Sequence, residues 1–339
     1  MTETSSLESF EEEDTNWRAR FWRATKPRLP TVFMALGTFF GLWLLVGQLV
    51  GLQGIFDTIK TADWGWAFLA LLATQLTNVT EAVAISGTLP GDVPIGRLSM
   101  LRFALAFTGL IGGTVANTAT VIRFNRRRNL DPPTAVSSGL IYSFSGFLVQ
   151  LVILVVFFIV VRPEFAFHEA GPSGSGAQKL QLALIIIAGL GVVSAVLVAI
   201  PKVRAVIRSR AKEHFAPAWR NFRVIIRSPK KTVRIFGGAA ASQLLFALGF
   251  TLALKSVDAH APYGGLVVVC TLTSLVGGLA PVPGGIGIME SCYIFGLTLL
   301  GVQQELAISA TVIFRLATTY LPPLWGWGAL YWLRRHDAL

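Results

Sequence analysis

The chain has 339 residues, of which 53% are hydrophobic and only 14% charged, with a formal net charge of +11. So few charges cannot cover a soluble domain, and the short alternating strands of a membrane barrel are not in the pattern. Apolar runs near 20 residues recur, each long enough to cross a bilayer core. The fold class that follows is an all-α polytopic membrane protein.

The positive charge is not a nucleic-acid signal. It gathers in flanks and one loop, where the positive-inside bias and anionic headgroups account for it. The four histidines are scattered through loops and tail, and Cys270 and Cys292 both sit in apolar segments. No metal, cofactor or disulfide framework is expected. The acidic start, Glu11 to Asp14, does not read as a cleavable leader.

Residues 1–30 read as a disordered acidic tail and a basic juxtamembrane anchor. In the anchor, Trp17, Phe21 and Trp22 alternate with Arg18, Arg20 and Arg23. The first span is expected at about Thr31 to Leu52. The second starts at the Trp64/Trp66 belt and runs to about Ser86. It carries Gln75, Asn78 and Glu81 at i, i+3 and i+6. The first two read as interhelical hydrogen bonders, and Glu81 as a solvated group near the cytoplasmic end. From Arg97 to Ile122 the chain is apolar but interrupted by Gly109, Gly112 and Gly113, and the cluster Arg123 to Arg128 follows. Further spans are expected at about Thr134 to Val161 and Leu180 to Ile200.

Residues 202–234 form the main basic loop. Phe215, Ala218, Trp219, Phe222, Ile225 and Ile226 recur at helical spacing, opposite Arg220, Arg223 and Arg227. This predicts an interfacial amphipathic helix on an anionic leaflet. A solvated cytoplasmic helix with a small core is the alternative. A span from about Val233 to Ser256, a Gly/Pro-broken stretch from Gly264 to Gly301 and a last apolar helix from about Leu306 to Leu333 complete the chain.

Placing every basic segment and both termini in the cytoplasm fixes the topology. It gives about six full spans and two re-entrant hairpins of opposite direction, at 97–122 and 264–301. Reading each hairpin as two short spans leaves the sides unchanged. The whole of 31–335 is one transmembrane domain, with repeat one at about 64–162 and repeat two at about 233–333. The repeats are visible in the sequence. Gly284-Gly285 overlies Gly112-Gly113 at a shift of 172 (284 − 112), and Ala307 to Phe314 overlies Ala135 to Tyr142 at the same shift. Inverted repeats with broken helices mark the midplane site of many transporters.

Glu290 and Arg315 lie in apolar surroundings, where charge is costly and has to find partners. They read either as a buried pair holding helices together or as substrate contacts. Pro281, Pro283, Gly284, Gly285 and Gly287 break the helix ahead of Glu290. Broken backbone frees N–H groups, and the helix that starts beyond it favours an anion. Close packing by small residues is the alternative reading of the glycines. The 172 shift places Thr118 opposite Glu290. Asn117, Thr118 and Arg123 are the corresponding polar candidates in the first repeat.

At these residues the chain resembles the transmembrane region of lysylphosphatidylglycerol synthases, a family that also contains many stand-alone membrane proteins. The motifs are Ala280 to Glu290, Leu299-Leu300-Gly301-Val302 and Phe314 to Pro322, with weaker similarity over about 35–335. The resemblance implies a flippase-like region that moves aminoacylated phosphatidylglycerol between leaflets of the cytoplasmic membrane. In two-domain members a separate soluble domain attaches the amino acid. This chain ends at Leu339 without room for it, so synthase activity is not expected. The family commonly carries a Gly-Glu motif in the first repeat, where this chain reads Val115-Ala116-Asn117-Thr118. The expected partners are membrane lipids with anionic headgroups, and no nucleic acid. The alternative function is a non-transporting partner or regulator of an envelope-lipid or glycolipid enzyme, docked through the basic loop. An integral lipid-modifying enzyme is the third reading, and no His/Asp/Glu constellation supports it.

Overall fold

Backbone N–H and C=O groups in lipid must be satisfied within the chain, which favours helices over isolated strands. The computed structural model describes residues 58–160 (except 90, 92, 129 and 131), 228–279, 285–336 and 338–339. Among them the regular elements are helices throughout. They are α1 Trp64–Thr88, α2 Ile95–Arg126, α3 Pro132–Val160, α4 Pro229–Lys255, α5 Tyr263–Leu279, α6 Ile288–Leu299, α7 Gln304–Arg315 and α8 Pro322–Arg335. A π-helical turn, Leu316–Tyr320, joins α7 to α8. Three helical stretches, Trp64–Thr88, Ser138–Phe157 and Pro229–Lys255, are long and apolar enough to cross a membrane. The expected spans at 31–52 and 180–200, and the amphipathic loop with Arg220, Arg223 and Arg227, lie outside the described residues.

Among the described residues the most extensive seam is between α1 and α4. A Cβ on Gly238 would sit 2.7 Å from both Thr80 O and Ala84 N, and one on Gly249 would meet Thr74 at 2.5 Å. Gly87 stands equally close to Ile235. High numbers on one helix face low numbers on the other, so the pair is antiparallel. Small residues are what let two backbones approach this closely without water to drive them together.

Helix α2 does not run straight. The Thr108 hydroxyl donates to Asn117 Oδ1 at 2.6 Å, whereas nine residues of straight helix rise about 13.5 Å. Leu98 and Phe124, near opposite ends, lie in one buried cluster with Leu89 and Leu101. The axis therefore reverses, in the stretch that holds Gly109, Gly112 and Gly113. A Cβ on Gly109 would meet Asn117 Nδ2 at 2.8 Å, so the limbs close only over a bare Cα. The second hairpin is α5 and α6, again antiparallel. Gly265 faces Leu300, Gly296 faces Val269 and Gly277 faces Met289.

The order helix, hairpin, helix thus occurs twice. The first limbs start at Ile95 and Tyr263, a shift of 168 (263 − 95), and Gly109 and Gly277 share it. Asn117 and Met289, which close on those glycines, are related by 172 (289 − 117), as are the starts of α3 and α7 (304 − 132). The second hairpin therefore holds four more residues between its closing contacts. The closing helices are exchanged in part: α3 packs on α5, and α8 packs on α2, while α7 stays on α6 of its own hairpin. Gly326 of α8 lies directly against Phe103 O and Phe107.

The last helix is not continuous from Leu306 to Leu333 as the sequence suggested. Pro322 and Pro323 supply no N–H, so the carbonyls of Thr318 and Thr319 lose their α-helical donors. The backbone widens instead, and Leu321 N–H bonds back to Leu316 O at 2.9 Å.

Candidate functional site

Glu290 lies in the first turn of α6, just after the helix break. Gly285 and Gly287 there have φ of +62° and +86°, a conformation that glycine adopts without steric cost. Glu290 Oε2 accepts the Gly287 N–H at 2.7 Å. The free donor and positive helix end expected to attract a headgroup are therefore occupied by the chain's own carboxylate. Arg315, the last residue of α7, donates from Nε to Glu290 Oε1 at 2.6 Å. Both residues are only 4% exposed. Pro283 and Gly284 lie outside the described residues.

Among the described residues two neighbours join the pair, and neither was found from the sequence. Tyr320 Oη donates to Glu290 Oε1 at 3.3 Å, and its ring centroid lies 5.8 Å from the Arg315 guanidinium carbon. Met289 Sδ lies 3.8 Å from Arg315 Nη1. In an α-helix residues five apart point some 140° apart. The wider π turn brings Tyr320 round to the side of Arg315. The only sequence signal for it was the Pro322-Pro323 pair.

Behind the π turn, the Gln75 amide donates to Ala317 O at 2.9 Å and accepts from the Trp325 indole at 3.1 Å. Asn78 donates to the same Gln75 oxygen at 3.5 Å. Gln75 is thus the interhelical hydrogen bonder that the spacing suggested, whereas the Asn78 bond stays within α1. Glu81 is not simply solvated. It is ion-paired with Arg102 of α2 and accepts from Ser242 of α4 at 3.2 Å, so three elements meet on it.

The first-repeat candidates are not gathered around Glu290. Asn117 is held by Thr108 across its own hairpin, and Thr118 and Arg123 are exposed. Hollows of about 300 Å³ beside Trp66 and Lys255 and about 380 Å³ between Phe103 and Trp332 do not include the Glu290–Arg315 pair in their walls. Among the described residues no cluster of His, Cys, Asp and Glu is set to hold a metal.

These features define a polytopic helical membrane protein of two opposed repeats, with a buried ion pair where the second hairpin meets the broken closing helix. The family profile described as the lysylphosphatidylglycerol synthase TM region matches residues 32–326, and the chain belongs to that family. It is thus a membrane protein of a lipid-handling family. No curated protein matches the chain.

Proposed function

We propose that this chain is a flippase-like lipid translocase of the cytoplasmic membrane, without catalytic chemistry of its own. Its cargo would be an anionic, aminoacylated or polyprenyl-linked lipid. The observation that carries this reading is the Glu290–Arg315 pair, buried at 4% exposure beside a break in each of two helices. A charge so placed is expensive, and it commonly marks a substrate or ion path. Separating such a pair leaves one charge alone and costs about 3–5 kcal/mol. A headgroup that carries both a phosphate and an ammonium avoids this cost. The phosphate takes Arg315, the ammonium takes Glu290, and neither is stranded.

In this reading both termini and residues 202–234 face the cytoplasm. Each hairpin enters from one leaflet and returns to it, with its tip near the midplane. Such backbone is tolerated where protein or a wet cavity surrounds it. The test is reconstitution in liposomes with labelled aminoacylated phosphatidylglycerol and with unmodified phosphatidylglycerol. Wild type should move label between leaflets, and Glu290→Gln should slow the aminoacylated lipid most. Normal movement by folded Glu290→Gln would exclude the carboxylate from the mechanism. No movement of any lipid by wild type would favour the second reading, a membrane partner of a lipid-synthesis enzyme. The uncharged Asn117-Thr118 pair on the second limb of the first hairpin is the feature on that side.

A further inference from the structure

The reversal of α2 brings together two cations that are far apart in sequence. Arg97 lies in the first turn of α2, and Arg128 follows its last. Along a straight helix they would be separated by about 46 Å. Instead Leu98, next to Arg97, is buried in one cluster with Phe124, the ring over which Arg128 lies. Arg97 itself is exposed, and burial first and the charge of Arg97 second hold the Arg128 guanidinium below its ordinary value. Arg128 Nη1 is buried with no hydrogen-bond partner, while its guanidinium carbon lies 5.9 Å from the centroid of the buried Phe124 ring. Among the described residues no carboxylate pairs with either arginine, and Glu81, on the neighbouring helix, is committed to Arg102. A buried guanidinium N–H without an acceptor is unfavourable, and a like charge beside it adds to the cost. An anion between the two removes both penalties. A tetrahedral phosphate offers several oxygens at once to two planar guanidinium forks.

We infer that Arg97 and Arg128 form a clamp for a phosphate group at the foot of the first hairpin. This site is separate from the Glu290–Arg315 pair, and it does not depend on whether the chain moves lipid. The phosphate could belong to a phospholipid headgroup or be free in solution.

The test uses the full chain, delipidated in neutral detergent. Its thermal midpoint is followed while dioleoyl phosphatidylglycerol, dioleoyl phosphatidylcholine or inorganic phosphate is titrated. Wild type should be stabilised. A shift with phosphatidylglycerol alone assigns a lipid headgroup, and an equal shift with inorganic phosphate assigns the free anion. Arg97→Gln and Arg128→Gln should each weaken the response about tenfold or more, as for loss of a charged hydrogen bond. Their ligand-free midpoints should stay level or rise, because a repulsion has been removed. Arg126→Gln and Arg127→Gln, exposed neighbours of the same charge, should respond like wild type. Three results overturn the clamp: no stabilisation of wild type, an equal loss in the neighbour variants, or a fall of the ligand-free midpoint in Arg97→Gln and Arg128→Gln.

Discussion

At the residue scale, one carboxylate holds two things at once. Glu290 closes the first turn of α6 through the Gly287 N–H and pairs with Arg315 of α7. The two functions separate by substitution. Glu290→Gln keeps an oxygen for Gly287 but loses the charge that balances Arg315. Arg315→Ala leaves a carboxylate buried at 4% exposure, with Tyr320 as its remaining side-chain donor among the described residues. Thermal unfolding in detergent should therefore rank Arg315→Ala below Glu290→Gln, with about 3–5 kcal/mol lost in the former. A loss well below about 3 kcal/mol in Arg315→Ala would show that the salt bridge itself contributes little. Gly285→Leu faces a second obstacle. Its φ is +62° and its Cβ would lie 2.7 Å from Met289, so roughly 1–2 kcal/mol of backbone strain is joined by a clash at the side chain next to Arg315. Activity per folded molecule should fall in this variant, and full activity would move the functional region away from the hairpin. Glu290 and Arg315 were legible in the sequence because charge stands out in an apolar run. Tyr320 was not legible, because which side of a helix a residue occupies depends on the turn that precedes it.

At the element scale, α2 has the length of one generous span and the geometry of two short limbs. Gly109, Gly112 and Gly113 pointed to the interruption, and the need to keep Arg123 to Arg128 on the cytoplasmic side pointed to the reversal. The closing contact itself, Thr108 to Asn117, was beyond sequence reasoning, since nothing local says which residues meet across a turn. Spin labels at Gly96→Cys and Arg127→Cys test the reversal directly. Gly96 is open around its Cα and Arg127 is exposed. The measured separation should be less than half of the roughly 46 Å that 31 residues of straight helix would give. A distance near the straight value would remove the hairpin and the Arg97–Arg128 clamp together. The opposite error occurred at the end of the chain, where hydropathy ran unbroken through Pro322-Pro323. Hydropathy records what a segment is buried in, and not whether its hydrogen-bond ladder is complete.

At the scale of the whole molecule, the repeat was legible as a shift of 172, but only for the second limbs and closing helices. The first limbs follow a shift of 168, because the extra residues lie between Gly277 and Met289. Sides of the membrane come from charge alone, so they need their own test. Ser173→Cys should react with an impermeant thiol reagent added outside intact cells, and Ser209→Cys should react only after lysis. The reverse pattern would turn the molecule over and contradict the charge argument.

The exchange of closing helices has a consequence for how the protein is made. Helix α3 leaves the ribosome long before its support, α5, exists, and α2 waits for α8. The alanine- and threonine-rich face of α1 likewise has no match until α4 appears, some 165 residues later (229 − 64). Half a molecule therefore enters the bilayer with its interfaces open, and membrane-embedded chaperones and proteases have that interval in which to act. Neither half should persist alone. Residues 1–200 expressed separately from 201–339 should be degraded, whereas both expressed in one cell should accumulate and co-purify. Stable accumulation of either half by itself would mean that the exchanged contacts are dispensable for assembly.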